Sequence, residues 1–157
     1  MVVCIKMSEI LFRGKRKDNG EWVYGYYCKY GYTGKEKHYI IPSYASALYA
    51  IEVIPETVGQ YITGLTDKNG KKIFKGDIIQ TKKAGLKGEK EYRFVIKYGK
   101  YIPLEYCKAI YIQWQTIGFY AFDGKRDYQL SCFKELLEVI GNIHDNPELL
   151  KGEEEDA

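Results

Sequence analysis

Apolar and polar positions alternate along most of this chain in short runs broken by turn residues. Ile10 and Phe12 alternate with polar neighbours up to Gly14. Further on, Trp22, Tyr24, Tyr26 and Cys28 share one parity, and Val23, Gly25 and Tyr27 the other. Successive side chains of a strand point to opposite faces, so each run predicts one β-strand. Asp18-Asn19-Gly20 lies between them. Asn and Gly tolerate the positive φ of a tight reversal, so the pair reads as a β-hairpin. Further strands are predicted at His38 to Pro42, Gln60 to Leu65, Lys72 to Phe74, Ile78 to Thr81 and Tyr92 to Tyr98. Ile110 to Trp114, Gly118 to Phe122 and Glu138 to Ile143 complete the set. Thr66 to Gly70, Gly76-Asp77 and Asp123-Gly124 read as turns.

Helical signals are weaker. Pro55 excludes a long helix through Val53 to Thr57. Ser131 to Leu137 is the best helical segment, and Asn146 to Leu150 reads as one helical turn opened by Pro147. Lys82 to Glu91 is rich in glycine and lysine with few apolar anchors, and reads as a long hairpin loop. Ser43 to Ala50 predicts no element. No two strands are linked by a convincing amphipathic helix, so the pattern is not βαβ. The fold class expected is mainly β: a small barrel-like or strongly twisted antiparallel sheet, with one or two short helices near the C-terminus.

At 157 residues the chain matches one ordinary domain. Such a chain buries roughly 68–70% of its unfolded surface and needs no disulfide or metal staple. Residues 1–8 read as an N-terminal extension, 9–150 as a single β domain, and 151–157 as an acidic, disordered tail. The four cysteines, Cys4, Cys28, Cys107 and Cys132, are far apart and form no zinc spacing. The amino-terminal apolar run is too short for a signal peptide, and no stretch reaches the roughly 20 apolar residues that span a bilayer. The expectation is a cytoplasmic protein with free thiols and no membrane association.

The chain holds 16 tyrosines against 6 phenylalanines and 2 tryptophans. A phenol can bury its ring and keep its hydroxyl wet, which suits a half-buried sheet and a contact surface. The net charge of +3 is too small to imply a polyanion partner by itself. Its distribution is more telling. Lys82, Lys83, Lys87, Lys90, Arg93, Lys97 and Lys100 are opposed only by Glu89 and Glu91, with Tyr92, Tyr98 and Tyr101 interleaved. Such a segment can neutralise phosphates while its rings stack on bases. It can equally be a solvated loop whose lysines discourage edge-to-edge pairing, and the modest net charge favours that.

No catalytic, metal or cofactor site is read from the chain. Gly76-Asp77 is turn chemistry: glycine relieves the backbone and the carboxylate accepts backbone amides. His38 and His144 are the only histidines. His144-Asp145 could pair a base with an orienting acid, but neighbours in an extended segment face apart. Cys28 and Cys132 sit among apolar neighbours, where free cysteine acts as a small hydrophobe. Gly14-Lys15 and Gly70-Lys71 lack the rest of a phosphate loop.

Three blocks carry a resemblance. Phe12-Arg13-Gly14-Lys15 is followed by Asp18-Asn19-Gly20-Glu21-Trp22-Val23-Tyr24-Gly25. Glu56-Thr57-Val58-Gly59-Gln60-Tyr61 precedes Thr63-Gly64-Leu65, Asp67-Lys68-Asn69-Gly70 and Gly76-Asp77-Ile78-Ile79. Glu138-Val139-Ile140-Gly141-Asn142-Ile143 precedes Asp145-Asn146-Pro147-Glu148-Leu149-Leu150. In this order they resemble the YopX family of phage and prophage proteins. The resemblance implies a mainly β domain encoded by a phage or prophage, and no reaction. About 82–120 carries none of these motifs and is expected to be a variable segment. The function expected is that of an accessory protein in the host cytoplasm. It would bind a host or phage protein, or copies of itself as a homo-oligomer, without catalysis or cofactor. A nucleic-acid-binding module built on the basic segment, and an enzyme of unrecognised type, are the alternatives.

Overall fold

A computed structural model describes residues 10–85, 88–102, 115–133 and 137–150, with the backbone alone for 82–85, 88–90 and 132. The expected extension, the acidic tail and the strand at Ile110 to Trp114 lie outside these residues. The described part is mainly antiparallel β and divides into two compact units at Leu65/Thr66.

In the first unit β1 (Phe12–Lys15), β2 (Trp22–Tyr30), β3 (Lys37–Pro42), β4 (Ile51–Glu52) and β5 (Gly59–Thr66) lie in the order β4-β3-β2-β1-β5. The Asn-Gly reversal forms as its chemistry requires. Gly20 adopts φ +74°, and Arg16 N donates to Glu21 O at 2.9 Å. Register then sorts the faces. Phe12 lies opposite Gly25, Gly14 opposite Val23 and Tyr27 opposite Ile40. The core on this side is Val23, Ile40 and Val53, with Phe12, Tyr27, Ile51 and Val58 packed against it. The sheet is not closed into a barrel. A single isolated bridge, Arg16 to Val53, ties the end of β1 to the end of β4. It is flanked by Lys17 N donating to Glu52 O at 3.0 Å and Ile54 N donating to Lys15 O at 2.8 Å. The sheet therefore curls around its core.

In the second unit β6 (Lys72–Phe74) precedes a sheet of β7 (Asp77–Gly85), β8 (Gly88–Tyr101), β9 (Thr116–Phe122), β10 (Asp127–Gln129) and β11 (Glu138–Asn142). Its order is β10-β9-β8-β7-β11. Ile78, Ile79, Phe94, Val95 and Ile96 are all buried, so the centre of this sheet is covered on both faces. Phe94 meets Phe133 edge-on at 4.9 Å and Tyr128 at 5.2 Å, while Tyr101 stacks on Tyr120 at 4.8 Å.

Two expectations are corrected. The segment Lys82 to Glu91 is no loop among its described residues: β7 and β8 stay paired from Ile78–Val95 out to Gly85–Gly88. The backbone ladder supplies the order that apolar anchors do not, and Lys82 stands opposite Glu91. Near the C-terminus the described residues hold no α-helix: Leu130–Phe133 and Pro147–Leu150 are single 3-10 turns, the second being the Pro-led turn expected, and 134–136 of the Ser131 to Leu137 segment lie outside the described residues. No helix among the described residues is long and apolar enough to cross a membrane.

Candidate functional site

The face of the first sheet turned away from its core is aromatic and basic. The pleat that buries Val23 and Tyr27 puts Trp22, Tyr24, Tyr26, Cys28 and Tyr30 on the opposite side of β2. Tyr24 and Tyr26 are about half exposed at 46% and 48%, and Tyr30 is 79% exposed. On β1, Arg13 lies opposite Tyr24 and Lys15 opposite Trp22. The buried Arg13 guanidinium sits 4.7 Å from the centre of the Trp22 ring, and the Lys15 ammonium 5.6 Å from it. Both distances give a favourable cation–π attraction that fixes the indole. On β3, Ile41 lies opposite Tyr26, Tyr39 opposite Cys28 and Lys37 opposite Tyr30. Three strands thus build a line of rings along β2 with cations on both flanks.

Among the described residues one acid stands on this face. Glu52 lies opposite Tyr39 and is held by Lys17 at 2.8 Å and Lys37 at 3.7 Å. The Lys17 hydrogen bond keeps its carboxyl below the ordinary range against desolvation, and the charges of Lys17 and Lys37 add to this. On the inner side, Tyr27 and His38 Nδ1 share a 2.7 Å hydrogen bond, and burial pushes the Tyr27 hydroxyl up.

Two open clefts lie nearby. One of about 390 Å³ is lined by Arg16, Lys17, Asp18, Ala50, Ile51 and Glu52. The other, about 220 Å³, lies beside His38, Lys37, Glu36 and Pro55. Their charges face one another: Arg16 grips Asp18 through two bonds of 2.9 and 2.6 Å, and Lys17 holds Glu52.

Of the chemistry-bearing residues singled out in the sequence, the structure brings His144 close to Gly76-Asp77, since β11 pairs with β7 there and Ile143 N donates to Gly76 O at 2.9 Å. His38 belongs to the first unit, Asp77 and His144 to the second. Asp77 is buried and its Oδ2 accepts Phe74 N at 2.8 Å, the turn role expected of it. Asp145 accepts Asn142 Nδ2 at 2.8 Å. Cys28 is half-buried; Cys132 stands in a 3-10 turn, and Cys4 and Cys107 lie outside the described residues. Among the described residues no group of three or more His, Cys, Asp or Glu could hold a metal ion.

The basic segment lies on the paired strands β7 and β8. Lys82 and Lys83 belong to β7, and Lys90, Tyr92, Arg93, Lys97, Tyr98 and Lys100 to β8, while Lys87 lies outside the described residues. Alternation puts Tyr92, Tyr98 and Lys100 on the side of Phe94 and Ile96, and Arg93 and Lys97 on the other. Arg93 Nη1 donates to Leu149 O at 3.2 Å, Lys97 lies 3.6 Å over the Phe122 ring, and Tyr98 packs on Phe119 at 4.9 Å. These side chains serve contacts within their own unit. The alternation of Trp22, Tyr24 and Tyr26 was legible as a strand face. That it is the outer face follows only from register, which no local signal gives.

No curated protein and no solved structure matches the chain significantly. A family model described as YopX protein matches residues 11–151, and the chain belongs to that family.

Proposed function

We propose that this YopX-family chain is a phage- or prophage-encoded accessory protein that acts by binding, without chemistry of its own, and that the outer face of β2 is its contact surface. One observation carries this: Tyr24, Tyr26 and Tyr30 stand exposed in line on the face opposite the core. Burying such rings costs little side-chain entropy and removes much apolar area from water, which is why Tyr concentrates at interfaces. The clefts support the same reading, since their charged groups are engaged with one another rather than aimed at a shared reacting point.

Site-specific photo-crosslinking in the host tests it. A photoreactive phenylalanine analogue at position 26 is expected to give discrete adducts, and the same analogue at exposed Glu56 of this unit to give none. Equal labelling at both positions, or none at either, would sink the proposal. Self-assembly is a second reading. Strand β10, Asp127–Gln129, ends the second sheet among the described residues, and the edge of a sheet is where a second copy can add a strand. Sedimentation of the purified chain decides it, with a monomer at all concentrations as the negative result.

A further inference from the structure

We infer that Asn69 is the site at which this chain undergoes spontaneous deamidation, and that conversion there loosens the tie between the 67–71 turn and β11. Three Asx-Gly pairs stand in the sequence: Asn19-Gly20, Asn69-Gly70 and Asp123-Gly124. Glycine carries no Cβ to shield its own amide nitrogen, so that nitrogen can reach the side-chain carbonyl carbon of the residue before it. At Asn69 the Gly70 nitrogen gives its proton to solvent base and bonds to Cγ. The Cγ–Nδ2 bond breaks, ammonia leaves, and a cyclic imide remains. Water then opens the imide. Addition at Cγ yields aspartate. Addition at the backbone carbonyl breaks the original C–N bond and yields isoaspartate, with the chain running on through Cβ and Cγ. Water is the sole co-reactant, and nothing is oxidised or reduced.

The fold separates the pairs by what it does with their side chains. In both Asn-Gly turns the attacking nitrogen is engaged: Gly20 N donates to Arg16 O at 3.0 Å and Gly70 N to Asp67 O at 2.9 Å. Both turns must open before reaction, so the backbone does not tell them apart. Asn19 Nδ2 donates to Glu21 Oε2 at 2.8 Å and its Oδ1 accepts Glu21 N at 3.0 Å, which holds the amide at both ends. Asp123 accepts Lys125 N and Arg126 N through Oδ1 and the Tyr128 hydroxyl through Oδ2, and a carboxylate is a poorer electrophile than an amide. The remaining asparagines, Asn142 and Asn146, precede Ile143 and Pro147. A branched side chain shields the first nitrogen, and the second has no proton to lose. Asn69 is exposed, and among the described residues its side chain makes no hydrogen bond. Two ordinary hydrogen bonds shift an equilibrium by about tenfold, so Asn69 reaches the reactive geometry more often than Asn19 by that factor.

The same turn is fastened to β11 and the residue before it. Lys68 N donates to Leu137 O at 2.9 Å, Lys68 Nζ meets Glu138 at 2.6 Å, and Asp67 Oδ2 accepts Val139 N at 3.1 Å. Isoaspartate adds one backbone carbon inside the loop that Asp67 closes on Gly70 N and Lys71 N, and so displaces the carboxylate that also holds Val139.

The test ages the full chain in mildly alkaline buffer and follows each asparagine by peptide mass mapping, with isoaspartate marked by an isoaspartyl methyltransferase. Deamidation is expected about tenfold faster at Asn69 than at Asn19. In urea, where neither turn persists, the two rates should converge. Glu21→Ala, which removes the partner of Asn19 Nδ2, should raise the rate at Asn19 and leave that at Asn69 unchanged. Hydrogen exchange of the isoaspartate fraction should be faster at the Val139 amide than in the parent, with the amides of paired β8 and β9 unchanged. Asn19 matching or outpacing Asn69 in the folded chain would overturn the inference. So would an equal preference for Asn69 in urea, which would make the difference intrinsic to the peptide. Unchanged exchange at Val139 would strike out the effect on β11.

Discussion

Gly25 shows how much the first sheet asks of one residue. A Cβ built there would lie 1.9 Å from Ile41 O, 2.6 Å from Ile41 C and 2.8 Å from Pro42 Cα. All three are backbone atoms of the neighbouring strand, so no side chain can move aside. Gly25→Ala is expected to destabilise the protein by at least about 3 kcal/mol, at the upper end of overpacking costs, measured by urea unfolding. Gly20, by contrast, has open space within 4 Å and needs glycine only for its φ of +74°. Its alanine variant should cost about 1 kcal/mol. The Asn-Gly signal at position 20 is local chemistry and was plain in the sequence. The need for glycine at position 25 was not, because it arises from a strand that meets β2 only after folding.

At the scale of elements, turns were the most legible feature and strand ends the least. Asp67 illustrates the first. It sits where the sequence put a reversal, and its Oδ1 accepts Asn69 N at 2.8 Å and Lys71 N at 2.9 Å. Its Oδ2 reaches further, to Val139 N at 3.1 Å, a link that no local pattern announces. Burial pushes this carboxyl up, but the amides of Lys71, Val139 and Asn69 outweigh it and hold the group below its ordinary value. A depressed folded-state value means that the ionised form stabilises the fold above the unfolded value. That contribution is lost as pH falls through the folded one. Asp67→Asn should therefore lower stability by about 1–3 kcal/mol at neutral pH. The gap between parent and variant should narrow below pH 4, read from paired thermal melts. The β7–β8 hairpin illustrates the second point. Its outer part lacks apolar alternation, so sequence periodicity could not distinguish a ribbon from a loop. Cross-strand pairing such as Thr81 with Tyr92 and Lys82 with Glu91 made the difference.

For the molecule as a whole, composition and periodicity were sufficient for a mainly β, antiparallel class, but not for its arrangement as two sheets rather than a barrel. The strands Trp22–Tyr30, Lys37–Pro42 and Gly59–Thr66 stand close to where alternation put them. The candidate site was harder to find for a physical reason. Lysine density in 82–100 is visible along the chain, whereas the ring line on β2 gains its flanking cations only when β1 and β3 fall into register. Tyrosine richness pointed to a contact surface but could not say which of two faces would meet water. Packing within the first sheet decided that, since Val53, 1% exposed, lies against the inner side so closely that a Cβ built on Gly14 would stand 3.1 Å from it.

The bridge from Arg16 to Val53 also bears on the order of events during folding. The β1–β2 hairpin needs only a short reversal, whereas bringing Val53 to Arg16 closes a loop through two intervening strands, at a greater entropic cost. Native contacts at Val53 then form late, on the downhill side of the barrier. In stopped-flow kinetics Val53→Ala should steepen loss of the native state by raising the unfolding rate while leaving the refolding rate nearly unchanged. A matched fall in the refolding rate would instead make this clasp part of the nucleus.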